Sequence, residues 1–238
     1  MTLIVHHLGV SQSERIVWLC EELNINYELK NYDRAPVMAP AEFKALHPIG
    51  AAPIIQDGDM TLAESAACVE YILQTRGNGK LAIAPGDKDY AEYLYWFHFA
   101  NGTLQPTLLL SSTLAWSGLN ENNEFVNRYK AKQHQLLGFV DQRLSKVPWL
   151  AGEQFTAADI MSVFCFTTVR CFAQYELGAY PNILSYLKRV AARDGYKRAM
   201  QKGDPDLEVD KLIGAACPPR QKGLAAAIQA RVQKEEKL

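Results

Sequence analysis

The sequence has almost no net charge: 25 Lys and Arg stand against 26 Asp and Glu, a formal charge of -1. Without an excess of either sign there is no long-range field to gather nucleic acid or an anionic membrane surface, and neither partner is expected. Apolar runs of membrane-spanning length are missing, as is a basic stretch followed by an apolar one near the start, so a soluble, cytoplasmic protein is expected. Paired cysteines are missing too. Cys20, Cys68, Cys165, Cys171 and Cys217 are odd in number and lack C-x-x-C spacing, which argues against a disulfide framework and reads as reduced core thiols. His6 and His7 lack a third ligand, and adjacent residues at a strand end point to opposite faces; no metal is expected and both read as structural.

What is present is apolar and regularly punctuated. Residues of apolar type make up 48% of 238, enough for one large core or two modest ones. Up to residue 76, short strand-like runs (Leu3 to Val5, Tyr27 to Leu29, Pro53 to Gln56, Met60 to Leu62) alternate with helical stretches (Ser13 to Leu23, Ser65 to Arg76), the pattern of a small α/β unit with a mixed sheet. Arg76-Gly77-Asn78-Gly79 stops the last helix. From Lys88 on there is no strand signal, and helical patterns run over Tyr90 to Trp116, Asn123 to Ser145, Thr156 to Tyr175, Asn182 to Arg193 and Tyr196 to Gln201. The expected organisation is an α/β domain over 1–79, a linker over 80–87, an all-α helical bundle over 88–203 and a tail over 204–238. Pro106 should bend the first long helix. Pro218-Pro219 should detach the tail, whose segment Leu224 to Lys237 has helical propensity and either crosses a cleft or stays disordered.

Three short segments carry chemistry. The run His47 to Ile55, HPIGAAPII, places Pro53 where it cannot donate to a sheet ladder, at a strand start, an edge or a special turn. Glu64-Ser65 opens a helical pattern soon after; a capping box from Thr61 to Glu64 is the plain alternative. Between the first strand and helix lies His6-His7-Leu8-Gly9-Val10-Ser11-Gln12-Ser13-Glu14-Arg15, whose Ser11-x-x-Glu14 also has capping-box spacing. Farther on, Thr156 and Asp159 have the same spacing, with Phe155 and Ile160 placed as a hydrophobic staple, behind Trp149-Leu150-Ala151-Gly152.

Together these segments resemble the glutathione transferases over residues 3 to about 203, most closely the serine-type members of bacteria and fungi. The resemblance implies a thioredoxin-like amino-terminal domain followed by an all-helical domain, with a linker at Leu81 to Gly86 whose apolar residues tuck between them. It assigns Ala52 and Pro53 to a cis-proline loop that pairs with the cysteinyl backbone of glutathione, and Glu64 and Ser65 to its γ-glutamyl end. A hydroxyl at a helix amino terminus suits an α-carboxylate, and a carboxylate suits an α-ammonium. Ser11 falls where the family places the hydroxyl that donates to the sulfur, with Ser13 as the alternative hydroxyl; a donor and a helix amino terminus both favour the thiolate of a thiol whose free pKa is about 8.5.

Tyrosine-type and cysteine-type members are disfavoured, since no tyrosine precedes Tyr27 and no cysteine occupies the turn. Gly50 stands where several relatives place a histidine for the glycine carboxylate, so Lys44 or His47 is expected to supply that contact. Val10, Phe99, Thr103 and Leu110 are candidates for an apolar electrophile pocket. The family implies a homodimer, glutathione as co-substrate without a further cofactor, and conjugation to small hydrophobic electrophiles, with hydroperoxide reduction by the same thiolate. The other readings are a non-catalytic glutathione-binding or regulatory protein and a glutathione-dependent thiol reductase.

Overall fold

The computed structural model describes residues 2–116 and 123–235. The first unit runs β1 (Leu3–Leu8), α1 (Glu14–Leu23), β2 (Tyr27–Tyr32), α2 (Ala41–Lys44), β3 (Ile54–Asp57), β4 (Met60–Ala63) and α3 (Ser65–Thr75). Its four strands form one sheet in the order β2-β1-β3-β4. β1 pairs parallel with β2 and antiparallel with β3, and β3 turns into β4 through Gly58, whose φ of 61° is open to glycine. β1 is therefore an inner strand. It runs three residues beyond the expected Leu3 to Val5, so the histidines lie within the strand, and each is satisfied on its own face: His6 by Tyr32 and Gln56, His7 by Ser13 and Asp204.

After residue 87 the described residues contain helices and no further strand: α4 (Tyr90–Phe99), a π turn (Ala100–Leu104), α5 (Gln105–Trp116), α6 (Glu124–Leu144), α7 (Ala157–Phe166), a 3-10 turn (Thr168–Cys171), α8 (Pro181–Ala192), α9 (Asp194–Gly203), α10 (Val209–Leu212) and α11 (Lys222–Glu235). The π turn ends two residues before Pro106. Proline has no N–H for the carbonyl of Gly102, and the widened turn closes instead with the N–H of Gln105 on the carbonyl of Ala100, which gives the expected distortion a specific form.

α7 is buried along its whole length, and α1 packs on both α7 and α9, so one apolar core runs through both units. Leu81, Ala82 and Ile83 pack against that core, and the carbonyl of Leu81 accepts the N–H of Ala157 at 2.8 Å. The capping box at Thr156 is formed in both directions. Asp159 accepts from Thr156 N at 2.9 Å and also from Leu150 N and Tyr186 Oη, while Phe155 packs against the rings of Trp18 and Trp149.

Three sequence expectations give way to tertiary contacts. The helix expected over Thr156 to Tyr175 ends at Phe166. The run Thr167-Thr168-Val169 is β-branched, Thr167 Oγ1 bonds back to the carbonyl of Val163 at 2.9 Å, and buried Arg170 turns the chain to reach other carbonyls. The tail is not detached by Pro218-Pro219. Arg170 donates to the carbonyls of Leu212, Gly214 and Ala215, Gln221 N to that of Cys171, and Gln174 to that of Pro218. α11 then lies beside Pro36, where the backbones of Pro36 and Gly223 approach too closely for a Cβ at position 223. Residues 236 and 237 of the expected tail helix lie outside the described residues. Finally, neither capping box proposed near the first domain's helix starts exists: Thr61 is inside β4, and Ser11 Oγ takes the N–H of Ser13 while the Glu14 carboxylate turns to Thr168.

Candidate functional site

The turn between β1 and α1 is held in a conformation that a valine rarely adopts. Val10 has φ 52°, in the left-handed region. Three contacts from distant segments secure it: Asp204 Oδ1 accepts Val10 N at 2.7 Å, and Arg34 donates to the carbonyls of Gly9 and Val10 at 2.8 and 2.9 Å. The next residues present Ser11, 5% exposed, and Ser13, fully buried, with their hydroxyls 2.7 Å apart. Gln12 bridges the turn to the proline loop, its Nε2 donating to the carbonyl of Ala52 at 2.8 Å; the Ala52–Pro53 bond is cis.

Ser65 opens α3 behind Glu64, which also has positive φ, 72°, and is exposed. Ser65 Oγ accepts from Arg15 Nη1 at 3.0 Å and from Asn101 Nδ2 at 2.9 Å. Both of its lone pairs are filled, so its proton is left to donate to a ligand. Arg15 is fully buried, and its hydrogen-bond acceptors are all neutral: Gln12 Oε1, Ser65 Oγ, Asn101 Oδ1 and Gln105 Oε1. Among the described residues it forms no ion pair with a carboxylate. Neighbouring Glu14 does not supply one, because burial pushes its carboxyl up to about 8. Burial also lowers the pKa of Arg15 itself, yet a guanidinium remains a cation, so its charge stands uncompensated beside Ser65 and Gln12. Such a site favours an anion.

Arg15, Gln12, Asn101 and Gln105 were not singled out as site residues in the sequence, and neither was Asp204. Asn101 and Gln105 reach Arg15 from the π turn and the start of α5. Thr103 lies between them on the chain and projects elsewhere: with Phe99 it lines a separate groove of about 740 Å³ with Tyr95, His98 and Phe139. Val10 borders a different cavity, of about 690 Å³, with Arg34, Asp204 and the tail, and Leu110 is 38% exposed and lines neither. The four residues expected to make an electrophile pocket therefore do not converge, because the helix turns Phe99 and Thr103 away from the Arg15 side. Lys44 is exposed, with its stem beside Gly50, and His47 Nδ1 accepts the N–H of Ile49 at 3.2 Å.

All five cysteines are free. Burial raises four of the thiols, Cys68, Cys165 and Cys171 to about 12 and Cys20 further still. The described residues include no group of three His, Cys, Asp or Glu arranged to hold a metal ion, and no helix among them is long and apolar enough to cross a membrane.

A four-stranded mixed sheet with a cis-proline loop, tied by Arg15 and Ser65 to Asn101 and Gln105 of a helical bundle, defines a two-domain protein of thioredoxin-like plus all-helical type. Residues 1–74 match the glutathione S-transferase N-terminal domain and residues 105–194 its C-terminal domain. Glutathione S-transferase 3 of Schizosaccharomyces pombe is 35% identical over 84% of this chain and 87% of its own length. A crystal structure of a glutathione S-transferase from Actinobacillus pleuropneumoniae, 32% identical, superposes with a TM-score of 0.78 over 85% of this chain and 93% of that one. A disulfide-bond oxidoreductase of Escherichia coli is 25% identical over 79% of this chain and 89% of its own. The chain belongs to the glutathione S-transferase family.

Proposed function

We propose that this protein binds glutathione in the cleft between its two domains, stabilises the thiolate and transfers it to small hydrophobic electrophiles. The observation that carries this reading is the buried, uncompensated Arg15 guanidinium joined to Ser65. It supplies positive potential where the thiol must ionise, and it fixes Ser65 so that the remaining hydroxyl proton is free for the γ-glutamyl carboxylate. Exposed Glu64 is placed beside it for the α-ammonium. The Ala52–Pro53 loop is assigned the cysteinyl backbone, and Lys44, with His47 as the alternative, the glycine carboxylate. Ser11 is assigned the sulfur, with Ser13 behind it.

The relatives named as glutathione S-transferases support transferase chemistry, and the Escherichia coli relative named as a disulfide-bond oxidoreductase supports the thiol-reductase alternative; reduction of organic hydroperoxides by the same thiolate is proposed as a side activity. In that alternative Cys20, Cys68, Cys165 and Cys171 are not the attacking thiols, since burial raises them and makes them poor nucleophiles. Those free thiols fit a reducing, cytoplasmic setting. A homodimer is proposed from the family; the exposed apolar residues Leu94, Tyr95 and Phe139 on the helical domain, and Met38 and Ile49 on the first, supply surface for it.

The test is direct. Purified protein is titrated with glutathione and then assayed with an activated aryl halide and a small organic hydroperoxide. Binding with turnover supports the transferase; binding without turnover on any electrophile turns the assignment to the non-catalytic reading.

A further inference from the structure

Ser11 is one end of a buried hydrogen-bonded chain that reaches across both domains. Its Oγ lies 2.7 Å from Ser13 Oγ, which lies 2.9 Å from His7 Nδ1; His7 Nε2 lies 3.1 Å from Asp204 Oδ2. Exposures along the chain are 5%, 0%, 0% and 7%. Gly203 packs closely against this contact: a Cβ there would stand 3.1 Å from His7 Nε2 and press on the ring.

Donor and acceptor capacity leaves little freedom. Ser11 Oγ accepts the N–H of Ser13 at 3.2 Å, and Ser13 Oγ accepts that of Leu8 at 3.1 Å, so each hydroxyl keeps one lone pair and one proton. The Asp204 carboxylate calls for a proton on Nε2 of His7. The carbonyl of Leu8, 3.4 Å from Ser13 Oγ, is a longer alternative acceptor for the Ser13 proton; along the chain itself two arrangements remain. With Nδ1 bare, Ser13 donates to His7, Ser11 donates to Ser13, and a lone pair of Ser11 is left for a ligand. With Nδ1 protonated, His7 donates to Ser13, Ser13 donates to Ser11, and the proton of Ser11 is left for a ligand.

We propose that glutathione ionisation drives the chain from the first arrangement to the second, with His7, paired to Asp204, receiving the proton. The thiol S–H bond breaks and its electron pair stays on sulfur. Ser11 takes the thiol proton as it passes its own to Ser13, Ser13 passes its proton on, and an N–H bond forms at His7 Nδ1. The imidazolium is then paired with the Asp204 carboxylate, and Ser11 donates to the thiolate it has just produced. No further reactant is required. His7, Ser13 and Asp204 touch neither sulfur nor electrophile, so they are positioning and proton-accepting residues. Other titratable groups around the pair are Glu14 from α1, Arg34 from the loop after β2, Cys171 from the 3-10 turn and Tyr196 from α9.

The inference rests on the assignment of Ser11 to the sulfur, and the experiment separates the two. Protons released to a weakly buffered indicator solution are counted as glutathione binds, with release on binding S-methylglutathione subtracted, and thiolate is counted by its ultraviolet absorbance. The wild-type protein is expected to form thiolate while releasing far less than one proton per thiolate. Asp204→Asn and His7→Gln, checked for folding by circular dichroism, are expected to bind glutathione with the thiol pKa raised about tenfold or more in proton concentration and to release one proton for each thiolate formed. One proton per thiolate in the wild type overturns the relay and leaves the transferase reading intact. No thiolate in the wild type overturns both. The wild-type measurement decides the question even if neither variant folds.

Discussion

Arg15 Nη1 lies 3.0 Å from Ser65 Oγ, a contact between residues 50 apart in sequence that ties the first helix to the start of the third. Because Asn101 of the helical domain donates to the same oxygen, Ser65 is oriented by both domains before any ligand arrives. Ser65→Ala should therefore weaken glutathione binding. A hydrogen bond to a charged group contributes about 1.5–3 kcal/mol, so the dissociation constant should rise by roughly ten- to hundredfold. Isothermal titration checks this, and unchanged affinity removes Ser65 from the site.

The charge of Arg15 can be cancelled without cutting its contacts. Gln105 Oε1 accepts from Arg15 Nη2 at 2.8 Å, and Gln105→Glu places a carboxylate there. Its opposite charge should oppose a second anion at the site and raise the pKa of bound glutathione by about one unit, with a drop in melting temperature because Gln105 Nε2 no longer donates to Gln12 Oε1. Spectroscopic thiol titration reads the first effect and calorimetry the second. An unchanged thiol pKa would mean that the guanidinium does not bear on the sulfur.

Glu14 sets a pH dependence of stability. Burial is the main cause that lifts its carboxyl from 4.5 to about 8, against a hydrogen bond from Thr168 that works the other way. A carboxyl raised in the folded state favours folding in its protonated form. Its contribution is complete below the unfolded value near 4.5 and is lost as pH rises through about 8. Glu14→Gln should match wild type near pH 5 and exceed it at pH 9 by up to about 4 kcal/mol. Denaturant unfolding at the two pH values gives the comparison; parallel curves for both proteins would contradict it.

Arg170 clamps the tail. It is fully buried and reaches carbonyls of residues 212, 214 and 215 as well as that of Tyr175. Arg170→Ala strips those carbonyls of a charged donor and should cost about 3 kcal/mol or more. Ending the chain after Gly203 should cost a similar amount, since it strips the guanidinium of its acceptors at 212, 214 and 215 and leaves only the carbonyls of Phe166 and Tyr175, whereas ending it after Gln221 should be tolerated. Melting temperatures of the three variants rank the effects, and a stable chain ending at Gly203 would show that the clamp is dispensable.

The sequence made local features visible. Pro53, Glu64-Ser65 and the Thr156/Asp159 box each lie within a few residues, where spacing and turn chemistry are readable. Contacts made across the chain left no such trace. Asn101 and Gln105 reach Arg15 over 86 and 90 residues, and Asp204 reaches His7 over 197. Nothing in the pattern of α4 and α5 tells which face of a helix interrupted by a π turn carries Asn101 and Gln105 to Arg15 and which carries Phe99 and Thr103 to a separate groove. Two prolines dominate the sequence of the tail, but a buried arginine in another segment decides where it goes.

The central claim is that this fold ionises glutathione through Ser11. The most direct measurement is the ultraviolet thiolate absorbance of bound glutathione across pH, for wild type and Ser11→Ala side by side. The account predicts a bound thiol pKa at least one unit below the free value of about 8.5, largely restored in the variant while binding stays within a few fold. A bound thiol that titrates at the free value in the wild type, or a lowered value that survives in Ser11→Ala, would contradict it.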